Sequence, residues 1–375
     1  MADRKLKIII TGPLPPTIGG VATYIQSILK SPAAEEFQFV TLRTMSRKHG
    51  TTEYADETYI EKVLRVIQDL FRLLVSIIRH NPALIHLNTS LESGAFHRDI
   101  LYTKLCKILR KKVFLQIHGG HLTSFKSQKS GITDKMLKRM LSWPDRIGVL
   151  SKLQANPLYK AGLNEKVRII PNSIDLNRYQ SIKTDRVKLG FSENSFIIIF
   201  IASHFMKEKG VYELLRAFHL VYQNQKNVRL VLIGDGEQIT GMKQFTDTYQ
   251  LEEAVQFTGF IHPAKIRQML AVSDILVLPS YAEGFPYVIL EGMAAGLPVV
   301  TTPVGAIPEI IKDDVNGYIV PVGDYNILSQ KILFLIKNSK TRNRISDANI
   351  QAVKNHYNLP VMAEHLCHAY REIIG

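Results

Sequence analysis

Cysteine is nearly absent from this chain: over 375 residues only Cys106 and Cys367 occur. A single pair makes neither a disulfide framework nor a metal cluster, so a reducing, cytoplasmic setting is expected. Long apolar runs are also missing. The start, "MADRKLKIIITGPLPP", has a short apolar run before Gly12 and Pro13 and reads as a first β-strand, not as a signal peptide. The most apolar long stretch, "VLRVIQDLFRLLVSIIRH" (63–80), is broken by Arg65, Asp69, Arg72, Ser76 and Arg79. Those polar residues recur every three or four positions and form one helical stripe. A spanning helix needs about 20 apolar residues without such breaks. The expectation is a buried helix with one wet edge.

Acidic residues are scarce in one half only. Residues 1–180 hold 28 Lys and Arg against 14 Asp and Glu, whereas residues 181–375 hold 19 of each, so the whole net charge of +14 lies in the first half. A one-sided basic half implies an anionic partner, such as a phospholipid surface or an anionic acceptor, or else a solvated surface that aids solubility. Nucleic acid is disfavoured, because no recognised motif and no interleaving of aromatic with basic residues is present. Several nucleotide signatures are missing too. "TGPLPPTIGG" is followed by no Gly-Lys-Ser/Thr and is not Gly-x-Gly-x-x-Gly, which sets aside a P-loop and a nicotinamide cofactor. No Asp-x-Asp pair and no third zinc ligand near His118 and His121 is available, so no metal is expected.

What is present is a rhythm. The composition, 46% hydrophobic and 21% charged, is that of a folded protein, and the length suggests two domains. Six strand-like runs precede residue 180: "LKIIIT", "QFVTL", "LIHLN", "VFLQIHG", "RIGVLS" and "VRIIPN". Six follow it: "FIIIFIAS", "VRLVLIG", "VQFTGF", "ILVLPS", "PVVTT" and "GYIV". Most are β-branched and apolar throughout, as strands covered on both faces are. Amphipathic stretches such as "GVYELLRAFHLVYQ" and "HPAKIRQMLAVS" lie between them. Alternating β and α implies α/β architecture: two Rossmann-like, doubly wound parallel-sheet domains facing each other across a cleft. The expected domains are 1–180 and 190–355, with a last helix at about 360–375 packing back on the first. Ligands of such sheets bind beyond the carboxyl ends of the strands.

The candidate site residues sit at those ends. Gly19 and Gly20 open a helix, where backbone amides and the helix dipole hold anions, although a plain turn fits them equally. Lys209, between a strand and a helix, reads either as a diphosphate-binding point charge or as a surface lysine. His118 ends a strand before two glycines. In "YAEGFPYVILEGMAAGLPVVTT", Pro286 suits a helix start and Gly296 a helix end, so Glu283 lies in the preceding loop and Glu291 inside the helix. Five helical residues separate Pro286 from Glu291, about 7.5 Å of rise. Two acids so placed, one in a loop and one in a helix, cannot be assumed to flank one glycosidic bond, which needs carboxyls about 5–5.5 Å apart for retention and about 6.5–9.5 Å apart for inversion; they suit separate parts of one long ligand better.

The spaced pair of glutamates, "EGFPYVILE", followed by "GMAAGLPVV", resembles the family 4 glycosyltransferases of GT-B fold. "GPLPPTIGG", "QIHGG", "IPNSID", "KEKG", "LIGDGE", "FTGFI" and "GYIVPVGD" match in the same order over nearly the whole chain. The resemblance implies a hexosyltransferase-type enzyme that moves a sugar, with retention and without metal or other cofactor, from a nucleotide-diphosphate sugar (UDP-linked) to a glycan or lipid-linked acceptor. It implies a place in cell-envelope or exopolysaccharide assembly, in the cytoplasm or peripherally on the inner face of the membrane. Lys209 would bind the diphosphate with Gly19 and Gly20, and Glu291 the ribose. Glu283, with the amides of Gly284 and Phe285 and with Pro286, would face the sugar, and His118 would meet it near the reacting carbon. The base would lie near Gly234, Phe260 and Ile261. The acceptor would meet Asn88 and His121. Where the family often has Gly-Arg-Leu, this chain has Ser203-His204-Phe205, so His204 stands in place of a fixed arginine. The same fold also serves nucleotide-sugar epimerases and phosphorylases, which need no acceptor or a different one.

Overall fold

The computed structural model describes residues 5–14, 17, 19–44, 58–90, 93–119, 134–180 and 182–375. The chain divides into two compact units, Met1–Ser173 with Leu359–Gly375, and Ile174–Asn358. Residues 174–180, grouped from sequence with the first domain, thus belong to the second.

The first unit carries β1 (Lys7–Gly12), β2 (Gln38–Arg43), β3 (Leu84–Thr89), β4 (Lys112–Ile117), β5 (Arg146–Val149) and β6 (Val167–Ile169). They form one sheet in the order β2-β1-β3-β4-β5-β6. Every pairing is parallel. Ile8, Ile9 and Ile10 of β1 are all fully buried, which is why this strand reads as unbroken hydrophobic sequence. The last helix, Leu359–Ile374, returns to this unit and packs on the helices Gly20–Lys30 and Ala33–Glu36 and on β3 and β4. Its buried residues include Leu359, Met362, Ala363, Leu366, Tyr370 and Ile373, a stripe at helical spacing. Its outer edge is tied by Arg371 to Glu36 (2.9 and 2.6 Å) and by Glu372 to Arg146 and Arg168.

The second unit carries β7 (Phe196–His204), β8 (Val228–Asp235), β9 (Val255–Gly259), β10 (Ile275–Leu278), β11 (Val299–Thr301) and β12 (Gly317–Ile319), in the order β12-β11-β10-β7-β8-β9. This sheet too is parallel throughout. Each sheet reverses its direction of strand addition once, between β1 and β3 and between β7 and β10. The loops leaving those paired strands diverge, and each reversal is where a doubly wound sheet opens a ligand crevice.

One expectation fails. The helix Tyr59–His80 does not bury its apolar face behind a wet polar edge. Asp69 is 2% exposed and accepts a hydrogen bond from Tyr102 (3.1 Å), while Leu73 and Ile77 are buried beside it. Ile60, Val63, Leu64, Ile67, Phe71, Val75 and Ile78 are exposed. The sequence pattern shows that two faces differ but not which one the neighbours receive. A buried aspartate with a hydroxyl partner turns the helix the other way.

Candidate functional site

The second unit assembles most of the candidate residues around its strand reversal. After β7 the chain makes a short turn, Lys207–Lys209, and reaches Gly210 at φ 67°, a left-handed conformation in which a Cβ would lie 2.0 Å from the carbonyl oxygen of Pro279. Glycine is what lets the loop after β7 press on the loop after β10. The amide of Tyr281 closes the contact by donating to the carbonyl of Glu208 at 2.7 Å. Lys209 and Glu283, 74 residues apart, consequently meet: Lys209 Nζ lies 2.8 Å from Glu283 Oε1. Ser280 Oγ donates to the same oxygen at 2.8 Å, and the Ser280 carbonyl is in turn held by Thr302 Oγ1. On the far side Gly305, at φ 56°, leaves no room for a Cβ beside the Glu283 and Gly284 carbonyls, and the Ala306 amide donates to the Gly284 carbonyl at 2.8 Å. The 283–285 loop is therefore fixed from both sides.

Glu291 has a different partner. It lies in the helix Tyr287–Ala294, for which Pro286 is the N-cap, and Gly296 at φ 76° follows its end. Tyr179 Oη donates to Glu291 Oε1 at 2.9 Å. Loss of hydration raises the Glu291 carboxyl above the ordinary glutamate range, against the Tyr179 hydrogen bond and the nearby charges of Arg267 and Arg178. The same burial, with Glu291 beside it, raises the Tyr179 phenol. The two glutamates thus have separate loops, separate partners and separate electrostatics.

The remaining donor-side candidates form a third group. Ser203 and His204 are exposed at the end of β7, and the His204 ring meets Phe260 edge-on at 5.9 Å. Phe260 is 48% exposed, a large apolar ring left open to solvent at a strand end. Gly234 and Gly236 let the end of β8 touch the loop after β7, because a Cβ on either would strike Ala202 or Phe205 backbone. Ile261, partly buried, follows Phe260.

In the first unit, His118 is 5% exposed just beyond β4, and its amide donates to the Thr89 carbonyl at 2.7 Å. His118 Nε2 lies 2.6 Å from Asn88 Oδ1, and His86 Nε2 lies 3.2 Å from the same atom. A carbonyl oxygen only accepts, so both Nε2 atoms carry the proton and the Tyr370 hydroxyl, 2.5 Å away, donates to His86 Nδ1. Asn88 Nδ2 donates to the Thr11 carbonyl at 2.8 Å, across the β1–β3 reversal. The Tyr24 ring stands edge-on to His118 at 4.6 Å. Burial pushes both imidazoles down to about 3, so both are neutral at physiological pH. His118 accordingly keeps Nδ1 as an acceptor. Asn88, read from sequence as an acceptor-binding group, has its carbonyl committed to the two histidines. Gly19, with φ 153°, is the N-cap of the helix beginning at Gly20, and no side chain caps that end. A Cβ on Gly19 would meet nothing within 4 Å. His121 lies outside the described residues.

Tyr179, His86 and Tyr370 carry no sequence signal that marks them for the site. Ser280 does, as the polar end of the strand-like run "ILVLPS" close to the acid it serves, whereas Tyr179 lies 112 residues from Glu291. Among the described residues no group of three or more His, Cys, Asp or Glu is arranged to hold a metal ion.

Two family models match the chain, "Glycosyltransferase Family 4" over residues 18–178 and "Glycosyl transferases group 1" over residues 181–352. A curated relative, the N-acetyl-alpha-D-glucosaminyl L-malate synthase of Bacillus anthracis, is 28% identical over 249 residues, covering 65% of this chain and 63% of the relative. The first curated relatives are matched over only about half to two thirds of their own length (53% and 63%). Among solved structures, sucrose-phosphate synthase from Thermosynechococcus elongatus superposes with a TM-score of 0.79 at 18% identity over 98% of this chain and 99% of that one. HepE of Anabaena in complex with UDP-glucose superposes with a TM-score of 0.75 at 20% identity over 98% of this chain and all of the other (100%). These structures share the GT-B fold of two parallel-sheet units.

Proposed function

Because this chain belongs to the family 4 glycosyltransferases, we propose that it transfers a sugar, with retention and without metal, from a UDP-sugar to a glycan or lipid-linked acceptor of the cell envelope or an exopolysaccharide. The observation that carries the reading is the meeting of Lys209 and Glu283 at the β7–β10 reversal while Glu291 takes Tyr179 as a separate partner. A donor held there presents three chemistries in a row. Its ribose hydroxyls donate to the Glu291 carboxylate. Its diphosphate meets the Lys209 ammonium, which exchanges part of its pairing with Glu283 for phosphate oxygens. Its sugar hydroxyls meet Glu283 and the amides of Gly284 and Phe285.

The barrier to transfer is charge. As the bond between C1 and the diphosphate oxygen breaks, its electron pair stays on the phosphate, and a cation already oriented by Glu283 stabilises that charge without reorganising. The acceptor oxygen bonds to C1 on the face the phosphate leaves, and the acceptor proton goes to the departing phosphate oxygen. No carboxylate nucleophile is required, which suits two acids that are each occupied elsewhere. His118, neutral and fixed by Asn88, serves the first unit as a hydrogen-bonding group and not as a proton donor. UDP is taken as the nucleotide because HepE, of like fold, is described with UDP-glucose. The excess positive charge of residues 1–180 supports an anionic, membrane-held acceptor on the cytoplasmic side.

The test uses the pure protein in EDTA. A thermal-shift panel of UDP, GDP and ADP and their sugars identifies the donor. NMR of the product then reads its anomeric configuration. An inverted product or strict metal dependence overturns the mechanism, and consumption of donor with no acceptor present points to an epimerase.

A further inference from the structure

The helix Tyr59–His80 is a structure whose shape outruns its use within the fold. Both ends are locally encoded: Thr58 and Glu61 form a reciprocal capping box, and Asn81 closes the C-terminus in a left-handed conformation. Its inner side is satisfied by Asp69, Leu73 and Ile77. Its outer side carries Ile60 (70% exposed), Val63 (41%), Leu64 (52%), Ile67 (56%), Phe71 (65%), Val75 (44%) and Ile78 (71%). At 100° per residue these seven fall within an arc of about 120°, a continuous stripe along about 27 Å of helix. Scattered exposed apolar residues need no explanation, but a contiguous stripe of this size does.

Charge identifies what covers it. Arg65, Arg72 and Arg79 follow one another at intervals of seven and stand in a row within about 40° of arc, beside the apolar stripe. Of the two acids of the helix, Asp69 is buried, accepting from Tyr102 and lying 3.7 Å from Arg72, and Glu61 is engaged at the cap. A second copy of this chain would bring an apolar stripe but no row of acids to meet the arginines. On the neighbouring helix Ser93–Ile108, which packs against this one, Leu101 and Ile108 are exposed together with Lys104. No described helix is long and apolar enough to cross a membrane.

We propose that the Tyr59–His80 helix is a preformed docking surface for an anionic lipid bilayer, lying in the interface with its stripe among the acyl chains and its arginine row at the phosphates. A high amphipathic contrast, basic residues beside the apolar face and a length typical of interfacial helices are what such binding requires. The proposal adds a named contact element to the lipid-linked acceptor suggested above and rests on that reading only for its purpose, not for its physics.

The experiment is flotation of the full chain with vesicles of phosphatidylcholine, with and without phosphatidylglycerol, at low and high salt, alongside UDP-sugar turnover measured without vesicles. The wild-type protein floats with the anionic vesicles and is released by salt. Ile67→Ser with Phe71→Ser lowers partitioning at least about tenfold. Arg72→Gln and Arg79→Gln each lower it about fivefold on anionic vesicles only. Both sets of changes lie on the exposed side and leave turnover in solution unchanged. Failure of the wild type to float at low salt overturns the proposal without any variant. So does equal flotation of the serine variant, or a concentration-dependent dimer that Phe71→Ser dissolves while vesicle binding persists. Flotation without turnover leaves the docking surface standing and removes the proposed UDP-sugar donor; turnover without flotation does the reverse.

Discussion

Replacing Lys209 by methionine separates the two duties assigned to that side chain. In the free protein its ammonium lies 2.8 Å from Glu283, with the two side chains 28% and 9% exposed. Coulomb attraction for such a pair is about 6 kcal/mol at an effective dielectric of about 20, and most of it offsets the loss of hydration. Removing the lysine leaves the less exposed partner charged and unpaired. One-sided loss of a buried pair costs about 3–5 kcal/mol, and the partial exposure of Lys209 puts Lys209→Met near the lower end, about 3 kcal/mol. For a unit of this size that lowers the melting temperature by about 6–12 °C. Glu283→Gln keeps the Ser280 hydrogen bond and leaves a lysine that water reaches, so it costs only about 1 kcal/mol. The double variant then costs about 1–2 kcal/mol, well short of the sum, because the unpaired carboxylate is gone. Urea denaturation of all four proteins measures the cycle. Additivity within about 0.5 kcal/mol refutes the pairing as a source of stability. Repeating the melts with UDP tests the second duty. Glu283→Gln retains the upward shift that UDP gives, since the lysine is released to phosphate, whereas Lys209→Met loses most of it. A full UDP shift in Lys209→Met refutes diphosphate binding by this residue.

Glu291→Gln preserves the acceptor for Tyr179 while removing an ionised group held above its ordinary range by burial. A raised carboxyl contributes stability below the ordinary glutamate range and loses it as pH rises through the folded value. The glutamine variant therefore melts higher than wild type at pH 7, loses the advantage in acid and binds the nucleotide sugar more weakly; a lower melting temperature at pH 7 contradicts this. His86 and His118 act oppositely. Their folded values of about 3 lie below the unfolded 6.5, so the stability they confer is complete above 6.5 and is lost as pH falls towards 3. Each contributes a slope of up to about 1.4 kcal/mol per pH unit, and His118→Gln should remove about half of the combined slope in denaturation measured across that window. Gly210→Ala forces a Cβ to 2.0 Å from the Pro279 carbonyl at a φ of 67°. It should cost at least about 1–2 kcal/mol and weaken UDP binding, and an unchanged UDP-induced shift would show that this loop does not set the lysine.

Local sequence was sufficient wherever a property is decided within a few residues. The twelve described strands lie on the strand-like runs, and the central ones are apolar throughout because a strand covered on both faces has no polar side to alternate; the edge strands β2 and β9 keep exposed polar residues. Glu283 falls in a loop and Glu291 in a helix because Pro286 and Gly296 bracket the helical stretch. Matters decided across the sheets were illegible. Lys209 meets Glu283 only because β7 and β10 are neighbours, although two strands, β8 and β9, intervene in the chain. Tyr370 reaches His86 across 284 residues because the last helix returns to the first sheet, and it donates to the nitrogen that the Asn88 carbonyl leaves without a proton. The helix Tyr59–His80 shows the limit most directly. Its periodicity establishes two unlike faces, but which face is buried depends on the partner each one meets. The Tyr102 hydroxyl waiting for Asp69 turned the polar position inward and left the apolar stripe outside.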